Sequence, residues 1–162
     1  MIVARVGDGG RGRPAGRRGG RIAGKTGPVD TTVEQVRTGG EEIVSDLTPQ
    51  AAAFVRGRGD GLLHVFVPHA TAGLAVLELG AGSDTDLLAA LRDLLPADDR
   101  WRHAHGSRGH GRSHVAPALV PPYATIPVFG GQLALGTWQS LALVDLNVDN
   151  AVRDVRFSFL RG

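Results

Sequence analysis

The chain has no cysteine, one methionine, one tyrosine and two tryptophans in 162 residues. Without thiols, disulfide scaffolds, Cys-ligated zinc, iron–sulfur clusters and thiol nucleophiles are excluded, and any bound metal must be held by imidazole and carboxylate. No apolar run reaches the ~18 residues of a membrane span, and the N-terminus lacks the apolar stretch of a secretory signal. Ser83, Ser107 and Ser113 stand outside any Gly-x-Ser-x-Gly elbow, and no P-loop is present. These absences point to a soluble cytoplasmic protein with no membrane partner and without serine-nucleophile or P-loop chemistry.

What is present divides in two. Residues 1–25 carry a net charge of +6 and residues 26–162 a net charge of −4, so the basic character of the chain belongs to its beginning. Residues 1–27 hold nine glycines and seven cations with almost nothing apolar after Val6. Such a segment cannot offset its ordering entropy by burial, and it is expected to be a disordered Arg/Gly-rich tail. Gly7-x-Gly9-x-x-Gly12 matches a dinucleotide fingerprint only formally, because no helix-forming segment follows and Pro14 interrupts. Arg-Gly tracts can hold RNA through phosphate contacts, but a charged extension is usually only solvated, so no nucleic-acid partner is expected. Residues 28–162 form the folded domain.

Within that domain, period-2 patterning predicts strands at Thr31–Thr38, Gly61–Pro68 and Leu74–Leu79, then near Ala124–Phe129, Thr137–Leu146 and Val152–Leu160. Ser45-Asp46-Leu47-Thr48-Pro49 reads as a helix start, with Thr48 as N-cap and Pro49 at the first helical position, for a short helix over Ala51–Arg56 ended by Gly57 and Gly59. Ser83 caps a second helix, whose apolar face is Leu87, Leu88, Leu91, Leu94 and Leu95 and which Pro96 stops. The expected fold is α+β: a compact single domain with a mainly antiparallel β-sandwich-like core and two helices.

All six histidines fall in two windows, His64 with His69, and His103, His105, His110 with His114. Strand alternation puts His69 on the face of Leu63, Val65 and Val67, and His64 on the other. His69 is followed by the small residues Ala70, Thr71, Ala72 and Gly73, which leave room for a ligand. The second window has three glycines between His103 and His114 and reads as a loop. Its imidazoles, with Arg108 and Arg112, suit a metal or an anion. His69, His103 and His114 with Glu78 could supply a divalent site, since imidazole nitrogen and carboxylate oxygen form an acceptable ligand set. Glu78, in the apolar stretch Leu74–Leu79, is either ion-paired or functional. Asp86 falls in the first turn of the second helix, where the dipole favours an anion.

The ordered motifs His69-Ala-Thr71-Ala72, Glu78, Asp86-Leu-Leu, Trp101-x-His103, Ser113-His114, Ile126-Pro-Val and Leu135-Gly136-Thr137-Trp138-Gln139 resemble the YjbQ-like family, also called secondary thiamine-phosphate synthase. The resemblance runs from about Thr31 to Gly162. It departs at Ala70, at the Glu78–Asp86 interval, near Pro121 and at Asp145-Leu-Asn147-Val148. It implies a homotrimer with pocket residues near a subunit boundary, His69, His103 and His114 as metal ligands, and His64, His105 and His110 as loop or surface residues.

The resemblance also places Glu78, Asp86, Gln139, Thr71 and the Arg153/Arg156 pair on motif positions. The activity implied joins hydroxymethylpyrimidine diphosphate to a thiazole phosphate with release of pyrophosphate, as a secondary activity. On that reading Glu78, Gln139 and Asp86 are the catalytic candidates, Thr71, Arg108, Arg112 and Arg153 bind the phosphorylated substrate, and zinc or magnesium is the divalent ion. Two other readings remain: a non-catalytic trimer that binds a metal or a phosphometabolite, and a metal-dependent hydrolase.

Overall fold

The computed structural model describes residues 29–162, so the expectation of a disordered tail over 1–27 lies outside the described residues. The strands form two antiparallel sheets. β1 (Val29–Arg37), β8 (Val152–Arg161), β3 (Gly61–Phe66), β5 (Tyr123–Phe129) and β6 (Gln132–Leu133) make one sheet in that order; β2 (Ile43–Asp46), β7 (Ser140–Asp145) and β4 (Ala72–Leu77) make the other. Every ladder is antiparallel, with registers such as Val33 opposite Arg156 and Leu74 opposite Leu143. Between the sheets lies the main core, including Leu63, Val65, Ile126, Leu141, Leu143, Val155, Phe157 and Phe159. Burying each such side chain contributes about 1.5–3 kcal/mol of transfer free energy.

β7 explains the layering. All of Leu141 to Asp145 is buried, a continuous run that only a strand covered on both faces can carry. Leu141 and Leu143 face the first sheet, whereas Val144 packs with Leu146, Leu91, Leu95, Ala116 and Val120 in a second core. That second core lies under helix α2 (Ser83–Leu94) and a 3₁₀ turn at Ala116–Ala118. The order of layers is therefore sheet, sheet, helix. Helix α1 (Thr48–Val55) closes the main core with Ala51 and Val55.

Several sequence expectations are corrected. The segment before Thr48 is the strand β2, because Ile43–Asp46 pairs with Asp145–Ala142. Leu47 and Gly82, rather than Thr48 and Ser83, occupy the N-cap positions. Thr48 instead turns its hydroxyl to β7, accepting the Leu141 N–H at 2.9 Å. Leu94 is 63% exposed and lies outside the apolar face of α2. There are three α-helices among the described residues, not two: one turn, α3 (His110–Ser113), interrupts the expected loop. No helix among the described residues is long and apolar enough to cross a membrane.

Candidate metal centre

Leu95 ends α2 and Pro96 cannot continue it, so the chain turns back over the second core. Trp101 anchors the return: its Nε1–H donates to the Pro96 carbonyl at 2.9 Å and its ring packs against the second core. The glycines that follow are required by close approach. Gly106 has φ +82°, and a Cβ there would lie 2.6 Å from Asp149 Oδ2 and 2.7 Å from the His110 ring. A Cβ on Gly111 would meet the His103 carbonyl oxygen and Trp101 Cβ, both at 2.5 Å. A sequence that reads as flexible is packed against itself.

This folding gathers His103, His105, His110 and His114, with one ligand atom from each lying within 4.8 Å of all the others. His110 opens α3 and His114 is its C-cap, still in right-handed helical conformation, so the two rings, four residues apart, meet on one side of the turn with centroids 4.9 Å apart. Their Nε2 atoms face each other at 2.9 Å. Zn–N bonds of 2.0–2.1 Å in a tetrahedron require ligand atoms about 3.3 Å apart, so the four imidazoles need to close by only ~1.5 Å at most. The donor set fits a zinc-type transition ion. It does not fit magnesium, which prefers oxygen ligands.

At two of the four rings, His103 and His114, the electrostatics favour the neutral form. His114 is held below the ordinary imidazole range by burial first and then by the positive charge its three neighbours would carry; His103 is lowered by burial and by His105 and His110. Neutral rings present free lone pairs, the form a metal requires. Beside them, Asp149 Oδ2 lies 2.5 Å from His110 Nδ1 and accepts the Ser107 N–H at 3.1 Å. The Ser107 N–H is the chief reason that the Asp149 carboxyl lies below the usual carboxylate range.

The other candidates are placed differently. His69 is outside the cluster: its Nε2 accepts the Asp154 N–H at 2.9 Å, and burial followed by the nearby Arg153 cation holds it below the usual imidazole range. Arg153 is buried and forked onto the buried Asp145, with Nε to Oδ2 at 2.6 Å and a terminal nitrogen to Oδ1 at 3.0 Å. Arg112 is also buried, bonded to the Leu95 carbonyl and ion-paired with Glu42. Both cations are engaged inside the protein. Thr71 is buried and accepts the Asn147 side-chain amide at 3.2 Å. Asp86 is exposed in the first turn of α2.

Glu78 and Gln139 do not join the histidines. Leu77 pairs with Ser140 at one end of the β4–β7 ladder and Ala72 with Asp145 at the other, so the two candidates lie past the end remote from Asp149. Six strand residues separate the ends by roughly 17 Å. Both are exposed, and Gln139 Oε1 accepts the Gly136 N–H at 2.8 Å within its own turn. His64 bonds Thr125 Oγ1 on the outer sheet face. The residues that sequence reasoning set aside, His105 and His110, belong to the cluster, and Asp149 was missed entirely. The i, i+4 spacing of His110 and His114 was the available signal; it needs only one helical turn, which a glycine-containing segment can form.

A depression of about 140 Å³ opens on the cluster, lined by Asp98, Asp99, Trp101, His103, His105 and residues 106–111, with Arg108 among them. A wider depression of about 670 Å³ lies elsewhere, between β1 and α1, lined by residues that include Asp30, Glu34, Arg56 and Arg58. Its polar groups are partly consumed by ion pairs from Arg58 and Arg161 to Asp30. The clustered imidazoles therefore open on the smaller depression and not on the wider one.

Fold and site together define an antiparallel two-sheet α+β protein with an imidazole cluster built from α3 and the loop that precedes it. The family described as UPF0047 protein YjbQ-like matches residues 32–162, and the chain belongs to that family. It is 59% identical over 134 residues to the UPF0047 protein Rv2556c of Mycobacterium tuberculosis, covering 83% of this chain and 100% of that one. The UPF0047 protein YugU of Bacillus subtilis is 28% identical over 113 residues, covering 66% of this chain and 82% of its own length. Among solved structures, a YbjQ-like protein of unknown function from Sulfolobus solfataricus P2 superposes with TM-score 0.76 at 24% identity, covering 83% and 98% of the two chains. The hypothetical protein APE1520 from Aeropyrum pernix K1 superposes with TM-score 0.73 at 30% identity, covering 82% and 99%.

Proposed function

We propose that His103, His105, His110 and His114 hold a divalent transition ion of the zinc type and that the protein acts beside it on a phosphorylated small molecule. The observation that carries this reading is the approach of four imidazoles to within 4.8 Å of one another. The reaction to test first is thiamine-phosphate synthase-like alkyl transfer. The C–O bond to the pyrimidine methylene breaks, its electron pair leaves with pyrophosphate, and the thiazole nitrogen supplies the pair for the new C–N bond. A bound ion would supply positive charge to the leaving oxygens. Arg108, exposed on the rim, has a planar fork that suits a phosphoryl group.

Volume sets a condition on this reading. About 140 Å³ is below the ~300–1,000 Å³ of ordinary small-molecule sites, enough for a phosphoryl group but not for two substrates. A homotrimer would supply the missing walls from a neighbouring copy. One observation favours a second reading: four imidazoles fill a tetrahedral ion completely, as in closed, non-catalytic sites. Light scattering, metal analysis and a pyrophosphate-release assay on the full chain separate the two. Transfer predicts a trimer that releases pyrophosphate only when both substrates and the metal are present, with Arg108→Ala slower. Stoichiometric metal without release supports the closed site, and no metal defeats both.

A further inference from the structure

We infer that Asp149 is a positioning residue of the metal centre, setting the tautomer of His110 so that Nε2 keeps its lone pair facing the other imidazoles. The inference rests on the metal reading above. A carboxylate only accepts hydrogen bonds, so at 2.5 Å from Nδ1 it places the ring proton on Nδ1. The remaining nitrogen, Nε2, is the one that faces His114 Nε2 at 2.9 Å. A ring protonated on Nε2 in the same orientation would point a proton where the ion must sit.

The carboxylate is itself held from the core. Its backbone N–H donates to Asn147 Oδ1 at 2.7 Å, and the Asn147 N–H donates to Asp145 Oδ1 at 2.9 Å. Asn147 is buried and also bonds Thr71. Gly106 closes the remaining side, since even one carbon there would collide with both the carboxylate oxygen and the ring. The pair is clamped from the interior and from the loop, the arrangement by which outer hydrogen bonds orient a ligating histidine.

The rival explanation is that Asp149 merely pins the loop through the Ser107 N–H. Both contacts fall on Oδ2, so Asp149→Ala removes them together, and the ring tautomer tells the two roles apart. Two measurements on the full chain decide it: the His110 ring nitrogen shifts in ¹⁵N-labelled metal-free protein, and Co²⁺ titration followed by ligand-field absorption. The expected result is Nδ1–H in the wild type, loss of that fixed tautomer in Asp149→Ala, and Co²⁺ affinity about 10–100-fold weaker in the variant. Asp149→Glu, which keeps an acceptor, recovers part of the affinity. Wild-type affinity or an unchanged Nδ1–H in Asp149→Ala, or Nε2–H in the wild type, overturns the inference. Should Asp149→Ala fail to fold, the wild-type tautomer decides alone. A wild type that takes up no Co²⁺ defeats the metal reading and this inference with it, whereas equal affinities defeat only the role of Asp149.

Discussion

Two polar centres meet where β7 gives way to β8. In one, Asp145, Arg153 and His69 find their partners inside the protein: a forked ion pair buried between the sheets, and a ring nitrogen that accepts the Asp154 N–H. In the other, four imidazoles crowd together, and among the described residues the only non-histidine hydrogen-bond partner of their rings is Asp149. Polar groups that satisfy one another stabilise a fold, whereas like groups drawn together with free lone pairs are suited to something that arrives from outside. Asn147 joins the centres, bonded to Asp145 on one side and to Asp149 on the other.

The comparison breaks first at the buried pair. Asp145→Ala leaves the Arg153 guanidinium buried without a counter-charge and should cost about 3–5 kcal/mol in urea unfolding of the metal-free protein. Leu94→Ala, on the exposed side of α2, is the control, and a loss no larger than the control's would mean that the pair is dispensable. Replacing both partners by apolar residues should recover part of the loss, because no orphaned charge remains.

The imidazole centre should respond to metal instead. Free Zn²⁺ at a hundredfold excess over its dissociation constant should raise stability by about 2.7 kcal/mol in the wild type. His114→Ala, with affinity at least about tenfold weaker, should keep no more than about half of that gain at the same Zn²⁺ concentration. His110→Ala and His105→Ala should resemble it, while His69→Ala should leave the Zn²⁺ response intact. Calorimetric titration of the four variants sharpens the contrast, and equal losses for His69 and the cluster would erase it.

Gly106→Ala tests whether the loop is packed. Its positive φ and the 2.6 Å approach to Asp149 predict a cost of about 1 kcal/mol or more, with weaker Zn²⁺ binding and intact β-sheet circular dichroism. An alanine variant with wild-type affinity would return this segment to an ordinary flexible loop.

The smallest effect is a titration. Burial and Arg153 lower the folded-state pKa of His69 below the 6.5 of a free imidazole, so the unfolded chain takes up protons first as acid is added. The associated stability is present above about pH 6.5 and is lost as pH falls through the lowered folded value. His103 and His114 contribute with the same sign. His69→Gln, which can still accept from Asp154 without titrating, should flatten that decline slightly in metal-free protein; a steeper decline would contradict the assignment.

Strand periodicity was readable because one-sided and two-sided burial leave different patterns. Val155, Phe157 and Phe159 alternate with more exposed residues along β8, and the unbroken Leu141–Val144 run marks a strand covered on both faces. β2 escaped notice because Ile43–Asp46 is only four residues long and is defined by its pairing with β7. The clustering of histidine in residues 103–114 was plain from spacing, and so was the restriction of metal ligands to imidazole and carboxylate. Which rings converge was not. His69 and His114 are 45 positions apart and match family motifs equally well, yet one ring turns to the β8 backbone and the other to His110.

Composition and local periodicity were sufficient for the α+β class and for most of the core, because each follows from what neighbouring side chains can bury. The membership of the imidazole cluster, the engagement of Arg112 and Arg153 in buried ion pairs, and the placement of Glu78 and Gln139 past the far end of β7 were decided by packing. Those properties depend on contacts between residues far apart in the chain, and no local pattern carries them.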